Sequence, residues 1–168
     1  MGIKNFRTNL VKHFPDIVSY KKPKNIHTLC IDANGILHKI CHRSKNKSEF
    51  KKNLIKILKN IIKKNKPSFV SIFIDGQAIL AKAHTQIKRR NKHLYIESSG
   101  ISSLNLTPGT PFMDFIDIVF IEYLKTLKIE YYYSSSKENN EGELKMFDWI
   151  IKKKIKNNVC IVGNDSDL

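Results

Sequence analysis

Short apolar runs alternate along this chain with longer stretches in which apolar residues recur at helical spacing. The runs are rich in Ile, Val, Phe and Tyr, as is typical of buried strands. The pattern predicts strands at residues 27–32, 69–74, 129–133 and 159–162. It predicts helices at residues 4–14, 50–62, 77–90, 111–127 and 141–155, with a polar connection at 91–106. Because strands that alternate with helices favour right-handed crossovers and a parallel sheet covered on both faces, we expect an α/β fold.

Two helix boundaries are marked by proline. Thr110 can cap a helix that begins at Pro111, which suits the first helical position. Pro67 cannot continue the helix that precedes the second predicted strand, so we expect that helix to end just before it.

Acidic residues follow three of the four predicted strands, although the chain has only 15 Asp and Glu against 30 Lys and Arg. Asp32 and Asp75 close the first two strands, and Asp165 and Asp167 come shortly after the fourth. Parallel strands bring their carboxyl ends to one edge of the sheet, where ligands of such folds bind. The alternative is turn or N-cap chemistry, since the strings around Asp32 and Asp165 are rich in Asn, Gly and Ser. Repetition at successive strand ends favours a metal site.

A second acidic pair, Glu141 and Glu143, opens the last predicted helix. Carboxylates gathered at one place repel each other unless a cation or a proton lies between them. Oxygen ligands without a His/Cys cluster indicate Mg²⁺ or Mn²⁺ rather than zinc. Such ions at a phosphodiester would activate water and stabilise both the attacking and the leaving oxygen.

A basic cluster follows the second predicted strand and consists of Lys82, Gln86, Arg89 and Arg90. In a helix these positions lie within one arc of about 100°. Three cations and an amide donor that converge there would suit a terminal phosphate, which accepts several charge-assisted hydrogen bonds. The alternative is an ordinary basic face, but the position directly after Asp75 places the cluster beside the candidate metal site.

His38 is six residues beyond Asp32, near the start of the segment that leaves the candidate metal site. A lone histidine is more often structural than functional. An imidazole at this place could also stack on a nucleobase.

The composition favours a folded chain with a polyanionic partner. The 168 residues are 41% hydrophobic, which is enough for one domain with a core, and the net charge is +15 with a pI near 9.7. A Lys-rich surface that reflects compositional bias is the alternative. Three cysteines without CxxC spacing indicate a reducing compartment, either cytoplasmic or nuclear, with no disulfide framework and no zinc site. Since there is no signal-peptide pattern and no long apolar run, we expect neither secretion nor a membrane partner.

Taken together, the motifs resemble the N-terminal conserved region of the Xrn/Rat family of eukaryotic 5′→3′ exoribonucleases. Seven motifs occur in family order across the chain. They are Met1-Gly2-Ile3, Asp32-x-Asn34-Gly35-Ile36-x-His38, Ile74-Asp75-Gly76-x-Ala78, Ala81-Lys82 with Gln86 and Arg89-Arg90, Asn105-x-Thr107-Pro108-Gly109-Thr110-x-Phe112-Met113, Glu141-Gly142-Glu143-x-Lys145, and Gly163-x-Asp165-x-Asp167-Leu168.

The resemblance implies a PIN-like nuclease fold, related to the flap endonucleases, with a mostly parallel central sheet flanked by helices and truncated at its C-terminal side. It implies that mononucleotides are released from 5′-monophosphorylated RNA, in RNA degradation, by hydrolysis with two Mg²⁺ or Mn²⁺ ions. The roles implied are metal binding and catalysis for Asp32, Asp75, Glu141, Glu143, Asp165 and Asp167, a 5′-phosphate pocket for Lys82, Gln86, Arg89 and Arg90, and stacking on the first base for His38.

The chain departs from the family pattern in three ways. Lys4 and Asn9 stand where the family favours Pro and Trp. Asn139-Asn140 stands where the family has Pro-Gly before its Glu-Gly-Glu. The chain ends at Leu168, whereas the family's region continues and supplies a further metal-site aspartate. We therefore expect residues 1–168 to be a single domain, the N-terminal portion of an exoribonuclease catalytic domain, with an incomplete metal site. Two alternatives stay open: a non-catalytic nucleic-acid-binding fragment and a flap-type 5′ DNA nuclease.

Overall fold

Four parallel strands form the centre of the protein in the computed structural model, which describes residues 5–21, 23–77 and 100–163. The strands are β1 (Thr28–Asp32), β2 (Phe69–Phe73), β3 (Glu130–Ser134) and β4 (Val159–Val162). Their order across the sheet is β3-β2-β1-β4, and each neighbouring pair is parallel. The α/β prediction is confirmed, and each predicted strand boundary lies within one residue of the observed one.

Five α-helices flank the sheet within the described residues. They are α1 (Phe6–His13), α2 (Asn34–Cys41), α3 (Lys47–Asn65), α4 (Pro111–Lys125) and α5 (Gly142–Lys152), with short 3-10 turns at Pro15–Ile17 and Ser103–Leu106. All but the first residue of the helix predicted at 77–90, and most of the connection at 91–106, lie outside the described residues. Along the described part of the chain, no helix is both long and apolar enough to cross a membrane.

Helix boundaries follow the local signals where those signals are strong. Thr110 Oγ1 accepts a hydrogen bond from the Met113 N–H at 3.3 Å, so α4 begins where its cap and Pro111 predict. Before Pro67, α3 ends and Lys66 takes a left-handed conformation with φ +47°. The helix predicted at 141–155 extends one residue too far at its start and three at its end, because α5 runs from Gly142 to Lys152.

Sequence patterns did not predict α2. Its first residues, Asn34 and Gly35, are turn formers, and Ala33 at the N-cap position makes no side-chain capping bond. The helix instead buries Leu37 and Ile40 in an apolar cluster that includes residues of β1 and β2. Tertiary packing therefore overrides the local turn signal.

The sheet is covered on both faces by separate apolar clusters. Along β1, Leu29 and Ile31 face the larger cluster, which includes residues of α2, α3 and α4, while Cys30 faces a smaller cluster with Met146 and Trp149 of α5. The chain passes from β1 to β2 and β3 on one side and then crosses to β4 on the other. This reversal beside β1 is the point where parallel sheets open a crevice at their carboxyl ends.

Candidate metal centre

Asn34 joins the carboxyl ends of the two central strands. Its backbone N–H and its Nδ2 both donate to Asp32 Oδ1, at 3.2 and 3.1 Å. Its Oδ1 accepts a hydrogen bond from the Asp75 N–H at 3.1 Å. Asp32 ends β1 and is only 8% exposed, so this single amide orients a buried carboxylate and fixes the backbone that follows β2.

Gly142 lies close to the side chains of both Asp32 and Asp75. Its N–H donates to Asp75 Oδ1 at 2.6 Å, at the first residue of α5. A Cβ added to Gly142 would lie 3.4 Å from both Asp32 Oδ1 and Asp75 Oδ1. The two oxygens are therefore no farther apart than twice that distance. The side chains of Asp32 and Asp75 therefore lie close together at the carboxyl edge of the sheet.

Glu141 and Glu143 lie at the start of α5, where the sequence places them. Glu141 is the N-cap residue and makes no side-chain capping bond, and Glu143 is in the first helical turn. Both side chains are partly buried. The charge of Glu141 acts on Asp75 and raises its pKa, so at least this glutamate lies near the pair of aspartates.

Among the described residues, the Asp75 carboxylate lacks enough compensating charge. Burial raises its pKa, and the Gly142 N–H, the Asn34 side chain and the Lys145 ammonium oppose that rise without cancelling it. A buried carboxylate with a raised pKa favours a proton or a bound cation. Closely spaced carboxylate oxygens such as these are ligands that suit Mg²⁺ or Mn²⁺.

The described residues alone do not complete a metal site, because they contain no group of three His, Cys, Asp or Glu side chains placed to hold an ion. Asp165 and Asp167 lie outside the described residues. The same is true of the whole predicted phosphate cluster, Lys82, Gln86, Arg89 and Arg90. The roles of these six residues stay predictions.

His38 lies on α2, four residues after Asn34, so the two residues share one face of that helix. Its side chain is exposed. This places His38 one helical turn from the residue that holds both aspartates, and the position is compatible with the stacking role that the resemblance implies.

A loop between β3 and α5, residues 135–141, lies directly on the end of β2. A Cβ at Gly76 would lie 1.6 Å from the Glu138 carbonyl oxygen, so no side chain fits there. The Gly76 N–H donates to the Asn140 carbonyl at 2.9 Å, and the Asn140 N–H donates to the Gln77 carbonyl at 3.1 Å. Asn140 has φ +84°, a left-handed conformation that Asn tolerates better than most residues. The substitution of Asn for the family's Gly therefore keeps the required backbone shape.

Lys145, on α5, holds the same loop from its other side. Its side chain is buried, and its Nζ donates to the Ser135 carbonyl at 2.8 Å and to the Glu138 carbonyl at 3.4 Å. Burial lowers the pKa of Lys145, while the charges of Glu138, Asp75 and Asp117 oppose that change. The sequence motifs that begin at Asp32 and at Glu141 contain Asn34, Gly142 and Lys145, but they indicated no role for these three residues.

Comparison with known proteins agrees with this geometry. The sequence profile of the XRN 5′-3′ exonuclease N-terminus matches residues 1–98 and 91–168, which together span the chain. Among solved structures, "The catalytic core of Rad2 in complex with DNA substrate" is similar, with a TM-score of 0.52 and 18% sequence identity. The similarity covers 85% of this chain and 41% of that one, so this chain spans less than half of that structure's length. The comparison with curated proteins finds no match.

The structural likeness confirms the fold that the resemblance implied. The four-stranded parallel sheet with flanking helices matches a PIN-like nuclease fold. The sequence profile covers every residue from 1 to 168 and identifies the family. The chain therefore belongs to the family of XRN 5′-3′ exonuclease N-terminal regions.

Proposed function

We propose that this chain is the N-terminal portion of the catalytic domain of a 5′→3′ exoribonuclease that releases mononucleotides from 5′-monophosphorylated RNA. Nucleases of this family and fold usually use divalent metals, and we assign Mg²⁺ or Mn²⁺ to the carboxylates at the end of the sheet. The proposal rests on one main observation: the Oδ1 atoms of Asp32 and Asp75 both lie beside Gly142.

The chemistry follows from that arrangement. Two divalent ions bound at this edge would supply an activated water and charge stabilisation for the attacking and leaving oxygens. Asn34 and the Gly142 N–H hold the two aspartate side chains in place through the bonds described above. Because these donors are part of the fold, the carboxylates need little rearrangement when substrate arrives.

The substrate end is assigned to residues that follow Asp32 and Asp75 along the sequence. We propose that His38 stacks on the first base and that Lys82, Gln86, Arg89 and Arg90 hold one terminal phosphate. A pocket for a single phosphate favours a monophosphate over a triphosphate or a capped end. The net charge of +15 supports a nucleic-acid substrate, and the choice of RNA rests on the family match, since the Rad2 structure contains DNA.

The test compares substrates and variants of the full-length gene product. With Mg²⁺ present, we expect stepwise release of mononucleotides from 5′-monophosphorylated RNA, slower reaction with 5′-hydroxyl RNA, and no reaction after chelation. Asp75→Asn should lower the rate by about 100-fold or more, since it weakens charge stabilisation worth several kcal/mol. The matched control is Asp148→Asn, an exposed position of α5. Asp165→Ala tests the pair outside the described residues.

Each rival function predicts a different result. Equal RNA degradation by the wild type and Asp75→Asn would show that the metal assignment is wrong. Preferred cleavage of a DNA flap, with no release from RNA ends, would identify a flap-type 5′ nuclease. Metal-independent binding with a steep salt dependence and no mononucleotide release would identify a non-catalytic binding fragment.

A further inference from the structure

We propose that Lys145 is a positioning residue for the metal-binding carboxylates. Its buried ammonium group fastens the loop of residues 135–141 onto the end of β2 and so sets the position of Asp75. This inference rests on the proposed metal site, and it assigns Lys145 no contact with substrate.

The first step is the attachment of the loop to α5. Lys145 is 9% exposed, and two of the three N–H groups of its ammonium donate to the Ser135 and Glu138 carbonyl oxygens. These carbonyls lie at opposite ends of the turn that leaves β3. One side chain therefore fixes the turn from within, where water cannot replace its hydrogen bonds.

The second step is the attachment of the loop to Asp75. The Glu138 carbonyl fills the space beside Gly76 that a side chain would need. Two backbone hydrogen bonds then join Asn140 to Gly76 and to Gln77. Because Gly142 follows this loop and donates to Asp75 Oδ1, a displacement of the loop moves both the backbone and the carboxylate of Asp75.

The third step is the choice of a cation at this position. A buried ammonium group is costly, and a Met or Leu side chain could be buried at this position without that cost. Lys145 is held by the two carbonyls and by the negative charges of Glu138, Asp75 and Asp117. The interaction is reciprocal, since the Lys145 charge also favours the ionised form of Asp75.

Two roles for this cation predict opposite changes in metal affinity. If Lys145 acted on the centre only through its charge, removing that charge at a pH where Asp75 is ionised would remove a repulsion and tighten the binding of a divalent ion. If Lys145 acts by positioning, removing it loosens the loop and weakens binding. Residues that orient metal ligands typically change metal affinity by about 10- to 100-fold when they are replaced.

The experiment uses Lys145→Met, which keeps the length of the side chain, in the full-length gene product. Mn²⁺ binding is followed by electron paramagnetic resonance of the free ion, and amide hydrogen exchange is measured in metal-free protein. We expect about 10-fold or weaker Mn²⁺ binding. We also expect faster exchange at the Gly76, Asn140 and Gly142 amides, with unchanged exchange in β1 and β2.

The matched control is Met146→Ala, the neighbouring residue on α5, which is fully buried and packs in the cluster around Trp149. It should lower the midpoint of thermal unfolding while Mn²⁺ affinity stays within about threefold, since it removes packing and no loop contact. A second variant, Lys145→Ala, should regain loop protection and Mn²⁺ affinity in propylammonium chloride. Tetramethylammonium chloride should not restore them, because that ion has no N–H donor.

The outcomes separate this inference from the proposed function. Unchanged or tighter Mn²⁺ binding by Lys145→Met would overturn the positioning role, as would loop exchange no faster than in Met146→Ala. If the wild type itself binds no Mn²⁺, the proposed metal site fails. The exchange measurement would then still decide whether Lys145 fixes the loop against Gly76.

Discussion

Replacing Gly142 by Ala should separate stability from metal binding. Gly142 does not have a positive φ, so an Ala residue can adopt its backbone conformation. At the first residue of α5, Ala is favoured over Gly by up to about 0.5–1 kcal/mol. The added Cβ would meet Asn34 Nδ2 at 3.3 Å, which requires a shift of a few tenths of an ångström. We expect the free energy of unfolding to stay within about 1 kcal/mol of wild type.

The metal site should respond much more strongly to the same methyl group. The Cβ would lie 3.4 Å from Asp32 Oδ1 and from Asp75 Oδ1, in van der Waals contact with both. Asp32 and Asp75 would hold a Mg²⁺ ion through their oxygens at about 2.0–2.1 Å, and a methyl group in contact with both Oδ1 atoms would hinder that coordination. We expect Mn²⁺ affinity to fall at least about 10-fold, which is about 1.4 kcal/mol.

Three measurements test this expectation: urea unfolding, Mn²⁺ binding, and cleavage of 5′-monophosphorylated RNA as a function of Mg²⁺. The control is Leu144→Ala, two residues along α5, where the side chain is 45% exposed. That variant should retain both metal affinity and activity. If Gly142→Ala binds Mn²⁺ and cleaves RNA as well as the wild type, the space between Asp32 and Asp75 is not the metal position, and the central step of the proposal is refuted.

Three further variants test the surroundings of the site. Asn34→Ala removes the amide that joins β1 to Asp75, and it should cost about 1–3 kcal/mol in urea unfolding and weaken Mn²⁺ binding. Asn140→Ala should lower the unfolding free energy by about 1 kcal/mol because of its left-handed backbone, whereas Asn140→Gly and the neighbouring Asn139→Ala should not. Burial raises the pKa of Asp117, so its contribution to stability is present in acid and is lost as pH rises through the folded-state pKa. Asp117→Asn keeps an acceptor for the Tyr133 hydroxyl, and its stability relative to wild type should increase from acid to about pH 8, which urea unfolding across that range checks.

The sequence predicted the features that depend on local pattern and on one general rule of parallel sheets. The apolar runs identified all four strands, and the rule that their carboxyl ends share an edge brought Asp32 and Asp75 together. Local pattern failed at α2, where Asn34 indicates a turn although packing makes a helix. It also assigned no role to Lys145, because a lysine on an amphipathic helix normally faces solvent. The contacts of these two residues depend on segments that are distant in sequence or on a loop whose shape has no local signal.

The exposure of most described lysines explains why they leave the Asp75 carboxylate short of compensating charge. Most lysines are exposed, and their charges are screened by solvent within about 8–10 Å. The net charge of +15 therefore acts on distant polyanions and contributes little to a buried carboxylate. Within the described residues, Lys145 is the cation that acts on Asp75, and its charge does not return the pKa of Asp75 to its ordinary value. Under the proposed function, a divalent ion held by Asp32 and Asp75 would supply the charge that the described lysines do not.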